Sequence, residues 1–355
     1  MKHKYVLLIG LLGICYTAAA QKKDDGGRWK PGVEGAASGV IHGAELSLRA
    51  KANYSIHSSS DLLGASQGNI VQDRLWQLKM GIPFYFGRHL EMAGRFLYGH
   101  EQFKFRSSEK NNYPLYNSLS DKNLNTIGGS IYLLGKLKKR MFFLVRLKTT
   151  LNGDYSRKDI RPVSKNNFIK IEFSPVVGWK VNPRKSWGVG LNYSYSFGNP
   201  FLFPIVAYRN SFAPHWGIQA ILPARITLRY RLNGNYYFHA RLGFKGRGYG
   251  LHLNDSLLSD YRTLELRRSE IDFSLTMEHS LKSWLWFSCQ VGIQKGIKFD
   301  VTNSNHRFTL SGRRTRDRKT VISSSTGMGP FAQVSLFVVP SKVLIDKFRS
   351  VFDVF

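Results

Sequence analysis

One short segment carries the residue types of a hydrolase. His57 is followed by Ser58, Ser59 and Asp61, which together offer a hydroxyl nucleophile, a base and a carboxylate that could orient the base. Nucleophilic catalysis needs these groups within hydrogen-bonding distance of one another. Because such residues are common in polar loops, an outer-membrane hydrolase is the third and least favoured of three functional hypotheses.

A second segment, near the C-terminus, is rich in arginine. Within Val301–Gly327 the only acidic residue is Asp317. A guanidinium group binds phosphate oxygens through two parallel hydrogen bonds, so this segment could hold the phosphates of lipopolysaccharide. A solvated loop is the alternative interpretation. The candidate anion-binding residues are Arg307, Arg313, Arg314, Arg316, Arg318 and Lys319.

Motifs that hold metals or nucleotides are absent from the sequence. There is no His-Glu-x-x-His, no pair of cysteines at metal-binding spacing, and no P-loop. The glycine-rich segment Gly246–Gly250 follows a predicted strand, so we interpret it as a loop and not as a phosphate cradle. We therefore expect no cofactor, no metal and no catalytic residues.

The N-terminus has the order of a secretory signal peptide. The basic segment Lys2–Lys4 precedes the apolar run Tyr5–Cys15, and small residues lead up to Ala20. This predicts cleavage between Ala20 and Gln21. A lipoprotein anchored through Cys15 is the alternative. Export leaves Cys289 as the only thiol of the mature chain.

The charge and composition narrow the function classes. There are 52 Lys and Arg residues against 23 Asp and Glu, a formal charge of +29, and 43% of the 355 residues are hydrophobic. The apolar content excludes a disordered chain. Export removes the chain from the compartment in which nucleic acid is the main polyanion, so we expect no nucleic-acid partner.

Period-two alternation of apolar and polar residues runs through most of the chain. Over Ala44–Ile56 every even-numbered residue is apolar and every odd-numbered one is polar, which indicates a strand with two different faces. Eleven further segments show the same pattern: Trp76–Phe86, Leu90–Phe105, Ile127–Leu137, Met141–Leu147, Ile169–Trp179, Trp187–Phe197, Trp216–Leu232, Tyr236–Phe244, Ile271–Met277, Leu285–Ile293 and Met328–Val338.

Short and long connections alternate between these segments, as in outer-membrane barrels, which have short periplasmic turns and long external loops. The prediction is an all-β, antiparallel up-and-down transmembrane β-barrel of about 12 strands, in the range 10–14. A soluble sandwich or barrel is the alternative fold. The expected regions are a signal peptide (1–20), a flexible lead-in (21–43), the barrel (44–338) and a C-terminal amphipathic tail (339–355), which we expect to form a short helix.

The polar faces of the strands should line the lumen. Because they carry more basic than acidic residues, we predict a narrow channel that favours anions; a lumen plugged by its own ion pairs is the other possibility. The basic lumen candidates are Arg146, Lys148, Lys170, Arg229, Arg231, Arg241 and Lys245. The second hypothesis is a non-conducting surface barrel whose basic outer loop engages anionic glycolipid or a partner protein.

Two segments resemble a known family. Trp216–Ala224 and Arg268–Phe273, with the signal peptide and Gln21, resemble an uncharacterised family of Bacteroidota outer-membrane β-barrel proteins that carry a domain of unknown function. The resemblance implies location in the outer membrane and a barrel, and it assigns no functional residue. The partners expected from this location are outer-membrane lipid, including lipopolysaccharide, and the assembly machinery, which would recognise Met328–Val338.

Overall fold

The computed structural model describes residues 33–87, 89–108, 113–155, 169–195, 200–253, 258, 264–303 and 319–340. The described chain is almost entirely β-structure, with one helix, α1 (Pro114–Asp121), and a 3₁₀ turn (Ala36–Ser38). The strands are β1 (Ala44–Ser60), β2 (Gly64–Phe86), β3 (Leu90–Phe105), β4 (Leu124–Lys136), β5 (Met141–Gly153), β6 (Ile169–Asn182), β7 (Lys185–Ser194), β8 (Phe201–Asn210), β9 (Trp216–Leu222), β10 (Arg225–Arg231), β11 (Tyr236–Leu251), β12 (Leu264–Lys282), β13 (Leu285–Asn303), β14 (Thr320–Thr326) and β15 (Met328–Val338).

The strands form one closed antiparallel sheet. From β1 to β14 each strand pairs with the next in sequence, β15 pairs with β13, and β1 closes the ring by pairing with β14 and β15. Since β14 and β15 are interrupted only at Gly327 and lie between the same two neighbours, β13 and β1, the barrel has fourteen strands. The predicted all-β up-and-down barrel is confirmed, with a count at the upper limit of the predicted range.

The two strands missing from the sequence prediction both lie between residues 200 and 232. The sequence pattern predicts a loop where β8 lies and a single strand over Trp216–Leu232, whereas the latter is the β9–β10 hairpin with Pro223 and Ala224 at its turn. Ile221 pairs with Arg225 across this hairpin. Paired residues point to the same face, and because Ile221 and Arg225 are four residues apart, paired positions have the same parity and the odd–even pattern continues through the reversal and conceals it.

The barrel has two different ends, which we call the turn end and the loop end. β1 begins and β15 finishes at the turn end, where Ala44 pairs with Val338; the short turns predicted from sequence lie there too. Strand length varies around the ring, from 23 residues in β2 to seven in each of β9 and β10. One side of the wall is therefore tall and the β9–β10 side is low.

The outer surface of the barrel carries the apolar residues of the alternating pattern. Exposed apolar side chains occur on all the long strands, for example Leu46 (49% exposed), Ile131 (43%), Leu275 (52%) and Leu336 (48%). A closed sheet leaves far less unpaired edge in lipid than an open one, and an apolar outer band is what a bilayer requires. The chain is a transmembrane β-barrel. Among the described residues, no helix is long and apolar enough to cross a membrane.

An apolar plug fills the lumen near the loop end. Leu115, Tyr116 and Leu119 of α1 are buried, and they belong to one cluster with inward-facing residues of the tall strands, among them Ile56 and Phe299. Tyr116 stacks on Phe105, with the ring centroids 4.9 Å apart. The helix therefore packs as part of a dry core inside the barrel, and the tall strands enclose that core.

A second segment crosses the lumen at the turn end. Residues 33–43, which we call the strap, differ from the predicted flexible lead-in, because Val33, Ala36 and Ala37 are buried. The amide of Glu34 donates to the carbonyl of Pro183 in the β6–β7 turn. The inward face of β9 accommodates the strap only because residue 217 is glycine: a Cβ there would lie 2.3 Å from the amide nitrogen of Ala37. The predicted signal peptide and the residues after Pro340 lie outside the described chain.

Candidate functional site

A buried ion-pair network lies in the lumen towards the plug. The Arg268 guanidinium is 2.8 Å from Glu101 and 3.1 Å from Asp73, and it also contacts Glu270. Arg49 approaches Glu101 at 3.7 Å. All five side chains are 8% exposed or less. Such a cluster is stable only when each charge has opposite partners, because the lumen removes them from bulk water.

A second buried cluster joins β6 to β12. Lys170 forms an ion pair with Glu265, whose other oxygen accepts from Arg267 at 2.8 Å. Lys170 is only 1% exposed, so it supports the wall and is not open to a solute in the lumen. Lys170 also packs under Gly248 of β11, where a Cβ would lie 3.2 Å from its Cε.

Below these networks, between them and the strap, lies a basic cavity of about 350 Å³, which we call the first chamber. Eight Lys and Arg residues line it, against only two carboxylates, Glu45 and Glu278. The basic residues are Arg49, Lys79, Arg95, Arg225, Arg229, Arg241, Lys245 and Arg247. The lining therefore carries a surplus of positive charge, although Glu101 and Asp272 outside the lining pair with four of the eight basic residues.

A second chamber of about 310 Å³ adjoins the first. Four basic residues, Arg95, Arg225, Arg241 and Lys245, line both cavities, so they lie at the junction between the chambers. The walls of the second chamber also include apolar side chains, among them Ile205 and Ile221. An anion in either chamber would meet the same group of cations.

Arg225 is the least compensated cation at this junction. Lys245 and Arg241 share Asp272, at 3.0 and 3.7 Å, whereas no carboxylate among the described residues forms an ion pair with Arg225. Its Nε has no hydrogen-bond partner, and Arg241 and three other arginines repel it. A bound anion would satisfy this guanidinium.

The strap is fixed across the turn end by polar contacts. Arg229 donates to the carbonyl of Ala37 at 2.6 Å, while His42 lies 3.1 Å from Glu45 and 3.5 Å from Glu278. Burial by itself would lower the pKa of His42, but the hydrogen bonds and charges of Glu278 and Glu45 raise that pKa to about 9. His42 also stacks on Phe337, at 3.7 Å between ring centroids. A protonated His42 thus holds the strap to β1 and β12.

The basic residues selected from the sequence have different surroundings. Arg229, Arg241 and Lys245 line the first chamber, and Arg146 lines the second. Lys148 lies beside Arg146, and both contact Glu172, at 2.7 and 3.4 Å. Lys170 is in the buried cluster described above. Arg231 lies at the turn end of β10, six residues beyond Arg225, and lines neither chamber.

The sequence pattern does not place Arg225, Arg209 or Arg247 in the lumen, each for a local reason. Arg225 follows the concealed β9–β10 turn, and Arg209 lies on the unrecognised strand β8. Arg247 lies within Gly246–Gly250, which was interpreted as a loop but belongs to β11. The odd–even pattern of β10 could have identified Arg225, because it shares the parity of Thr227 and Arg229.

The other candidate residues are dispersed or lie outside the described chain. Of the six candidate anion-binding residues, only Lys319 is described; it is exposed and directly precedes β14. His57 and Ser58 are adjacent in β1, so their side chains point to opposite faces. Ser58 is buried and contacts Ser324 Oγ at 2.8 Å. Within the described chain, no three His, Cys, Asp or Glu side chains are grouped to hold a metal ion.

Residues 68–324 match the family described as Domain of unknown function (DUF6268). The chain belongs to this family. The match contains both segments from which the family resemblance was inferred, and it spans β3–β13, most of the barrel, including the junction cations. No curated protein matches the chain.

Several solved structures are similar to this chain at low identity. An outer membrane channel from Pseudomonas putida F1 is 9% identical, with a TM-score of 0.41, over 89% of this chain and 100% of that chain. A FadL homologue from Pseudomonas aeruginosa is 9% identical, with a TM-score of 0.39, over 83% and 89%. The P. putida toluene transporter TodX is 8% identical, with a TM-score of 0.36, over 87% and 93%.

Proposed function

We propose that this protein is an outer-membrane transport barrel whose lumen takes up anions. The observation that carries the proposal is the first chamber, with eight basic side chains against two carboxylates. Like charges in a narrow, partly desolvated lumen concentrate counter-ions and set selectivity. Lys and Arg side chains that pointed into lipid would destabilise the barrel, whereas in the lumen they can bind a solute.

Transport through the lumen requires movement of the plug or the strap. The apolar cluster around α1 fills the loop end, and the strap crosses the turn end. The closed arrangement favours a gated barrel over a permanently open pore. Replacing Pro114–Asp121 by a flexible linker of equal length should raise the open fraction, because α1 supplies three buried side chains of the plug.

Planar-bilayer recording with the full mature chain tests this function. With a KCl gradient across the bilayer, we expect a reversal potential close to the chloride equilibrium potential. Arg225→Glu should move the reversal potential towards the potassium equilibrium potential. Arg231→Glu, on the same strand and face but outside both chambers, is the matched control. Cation preference in the unmodified protein, or equal shifts for the two variants, would contradict the proposal.

The alternative function is a non-conducting surface barrel that binds anionic glycolipid through its Arg-rich loop. A silent bilayer, both for the unmodified protein and for the variant without α1, would favour it. Deletion of Arg313–Lys319 should then abolish association with lipopolysaccharide vesicles. Unchanged association after this deletion would exclude the alternative.

A further inference from the structure

Among the described residues, the ladders of the barrel wall are incomplete next to the second chamber. The β8–β9 ladder ends at Val206–Leu222, and the β10–β11 ladder ends at Arg225–Gly243. Beyond the hairpin β8 continues for five residues, Phe201–Ile205, and β11 continues to Leu251. Among the described residues no ladder joins these two extensions.

The width of this gap follows from the strand order. At the hairpin tip, β8 and β11 are separated by β9 and β10, which means three inter-strand spacings, or about 14 Å. Further towards the loop end, β11 crosses to β5: Gly250 pairs with Gly153, and the amide of Asp154 donates to the Gly250 carbonyl at 3.1 Å. The gap is therefore bounded on the turn-end side by the hairpin and on the loop-end side by β11.

The gap lies at membrane level. A strand needs roughly 9–11 residues to cross a bilayer, but β9 and β10 have seven each. The outward side chains around the hairpin tip are apolar and exposed: Val206 (44%), Leu222 (44%) and Leu242 (43%). On β6, the apolar outer face continues to Ile169, 39% exposed. The hairpin thus ends while its neighbours are still facing lipid.

The second chamber lies directly behind the gap, and its lining has two chemistries. Ile205, Ile221 and Phe244, from the three elements that border the gap, present apolar surface. Arg225 and Lys245 lie beside them and are diagonal neighbours across the β10–β11 ladder, because Arg225 pairs with Gly243. Apolar groups at the opening and cations behind them match a ligand with an alkyl chain and an anionic head.

We propose that the gap between β8 and β11 is a side opening, through which amphiphilic anions pass between the membrane and the second chamber. The ligand class is a long-chain carboxylate or a similar single-chain anion. Its head contacts Arg225 and Lys245, while its chain lies over Ile205 and Ile221 and extends towards lipid. This deepens the proposed function and depends on it, since both use the junction cations.

The head-group site is tested by binding in detergent micelles. Dodecanoate, dodecanol and acetate are compared on the full mature chain by calorimetry, with the boiling-dependent gel shift as the check of folding. We expect dodecanoate to bind at least tenfold more tightly than either of the others. Arg225→Gln should weaken dodecanoate about tenfold and leave dodecanol unchanged, and the control Arg231→Gln should change neither.

The route is tested by delivery from the bilayer. A long-chain carboxylate with an anthroyloxy label is placed in proteoliposome lipid, and its arrival is followed by energy transfer from tryptophan. Ala224→Phe, at the hairpin tip, should slow arrival at least fivefold, and by more than any loss of affinity in micelles, because Ala224 also lines the second chamber. Ala213→Phe, in the β8–β9 turn at the other end, is the control and should leave the rate unchanged.

The possible outcomes separate this inference from the proposed function. If acetate binds as tightly as dodecanoate, the amphiphile class is wrong, while an anion-binding lumen stands. If dodecanoate binds but Ala224→Phe leaves its arrival rate unchanged, the side opening is wrong. If no anion binds and the reversal potential shows no anion preference, both proposals fail.

Discussion

The lumen contains two groups of basic side chains in opposite electrostatic situations. In the network near the plug, the single guanidinium of Arg268 contacts three carboxylates. At the junction of the chambers, Arg241 and Lys245 share the single carboxylate of Asp272, and Arg225 forms no ion pair with a carboxylate of the described chain. The same residue types, on the same face of the same sheet, therefore have different surroundings: the charges of the network are paired with one another, whereas Arg225 forms no ion pair with a carboxylate of the described chain.

The largest effect should come from breaking the network. Arg268→Ala leaves Asp73, Glu101 and Glu270 buried without their shared partner, which should lower the free energy of unfolding by about 3–5 kcal/mol. Arg225→Ala should change it by less than about 1 kcal/mol or increase it, because repulsion is removed. Urea unfolding in micelles, followed by tryptophan fluorescence, measures both. Equal losses for the two variants would remove the distinction between the groups.

The strap supplies a pH-dependent test. The folded-state pKa of His42 is about 9, above its ordinary value of 6.5, so its contribution to stability is fully present below about pH 6.5 and is lost as the pH rises through about 9. We expect the unfolding midpoint to fall between these pH values, and this fall to be smaller in His42→Gln. The network should show no such dependence, and an equal fall in the variant would contradict the assignment to His42.

A change at Arg225 should weaken the binding of an anion although it has little effect on the free energy of unfolding. Arg225→Gln removes one charge-assisted hydrogen bond to a bound anion, which corresponds to roughly a tenfold loss of affinity. Calorimetry with dodecanoate measures this loss, and Arg231→Gln is the control. If the affinity is unchanged while the stability falls, Arg225 belongs with the paired group.

The difference between the two groups could not be deduced from sequence. Alternation identified the barrel, its turn end and the face on which Arg146, Arg241 and Lys245 lie, because that pattern depends only on which side of a strand is apolar. Which basic side chain pairs with which acidic side chain depends on contacts between strands that are distant in sequence. Arg268 and Asp73 are 195 residues apart. Alternation therefore predicted a basic lumen, but it could not separate Lys170, buried against Glu265, from Lys245 at the junction.

The smallest expected effect is a gain of affinity for dodecanoate. Glu172 lines the second chamber and contacts Lys148 and Arg146 in a partly exposed setting, at 2.7 and 3.4 Å, so it is intermediate between the two groups. Glu172→Gln removes one negative charge and leaves both cations facing the chamber. Since partly exposed pairs contribute about 0.2–1 kcal/mol, affinity for dodecanoate should rise about threefold, with little change in the free energy of unfolding. Calorimetry and urea unfolding on the same preparation measure the two quantities. A loss of affinity would mean that Glu172 orients Arg146 towards the ligand and does not compete with it, and the second chamber would then resemble the network in depending on its ion pairs.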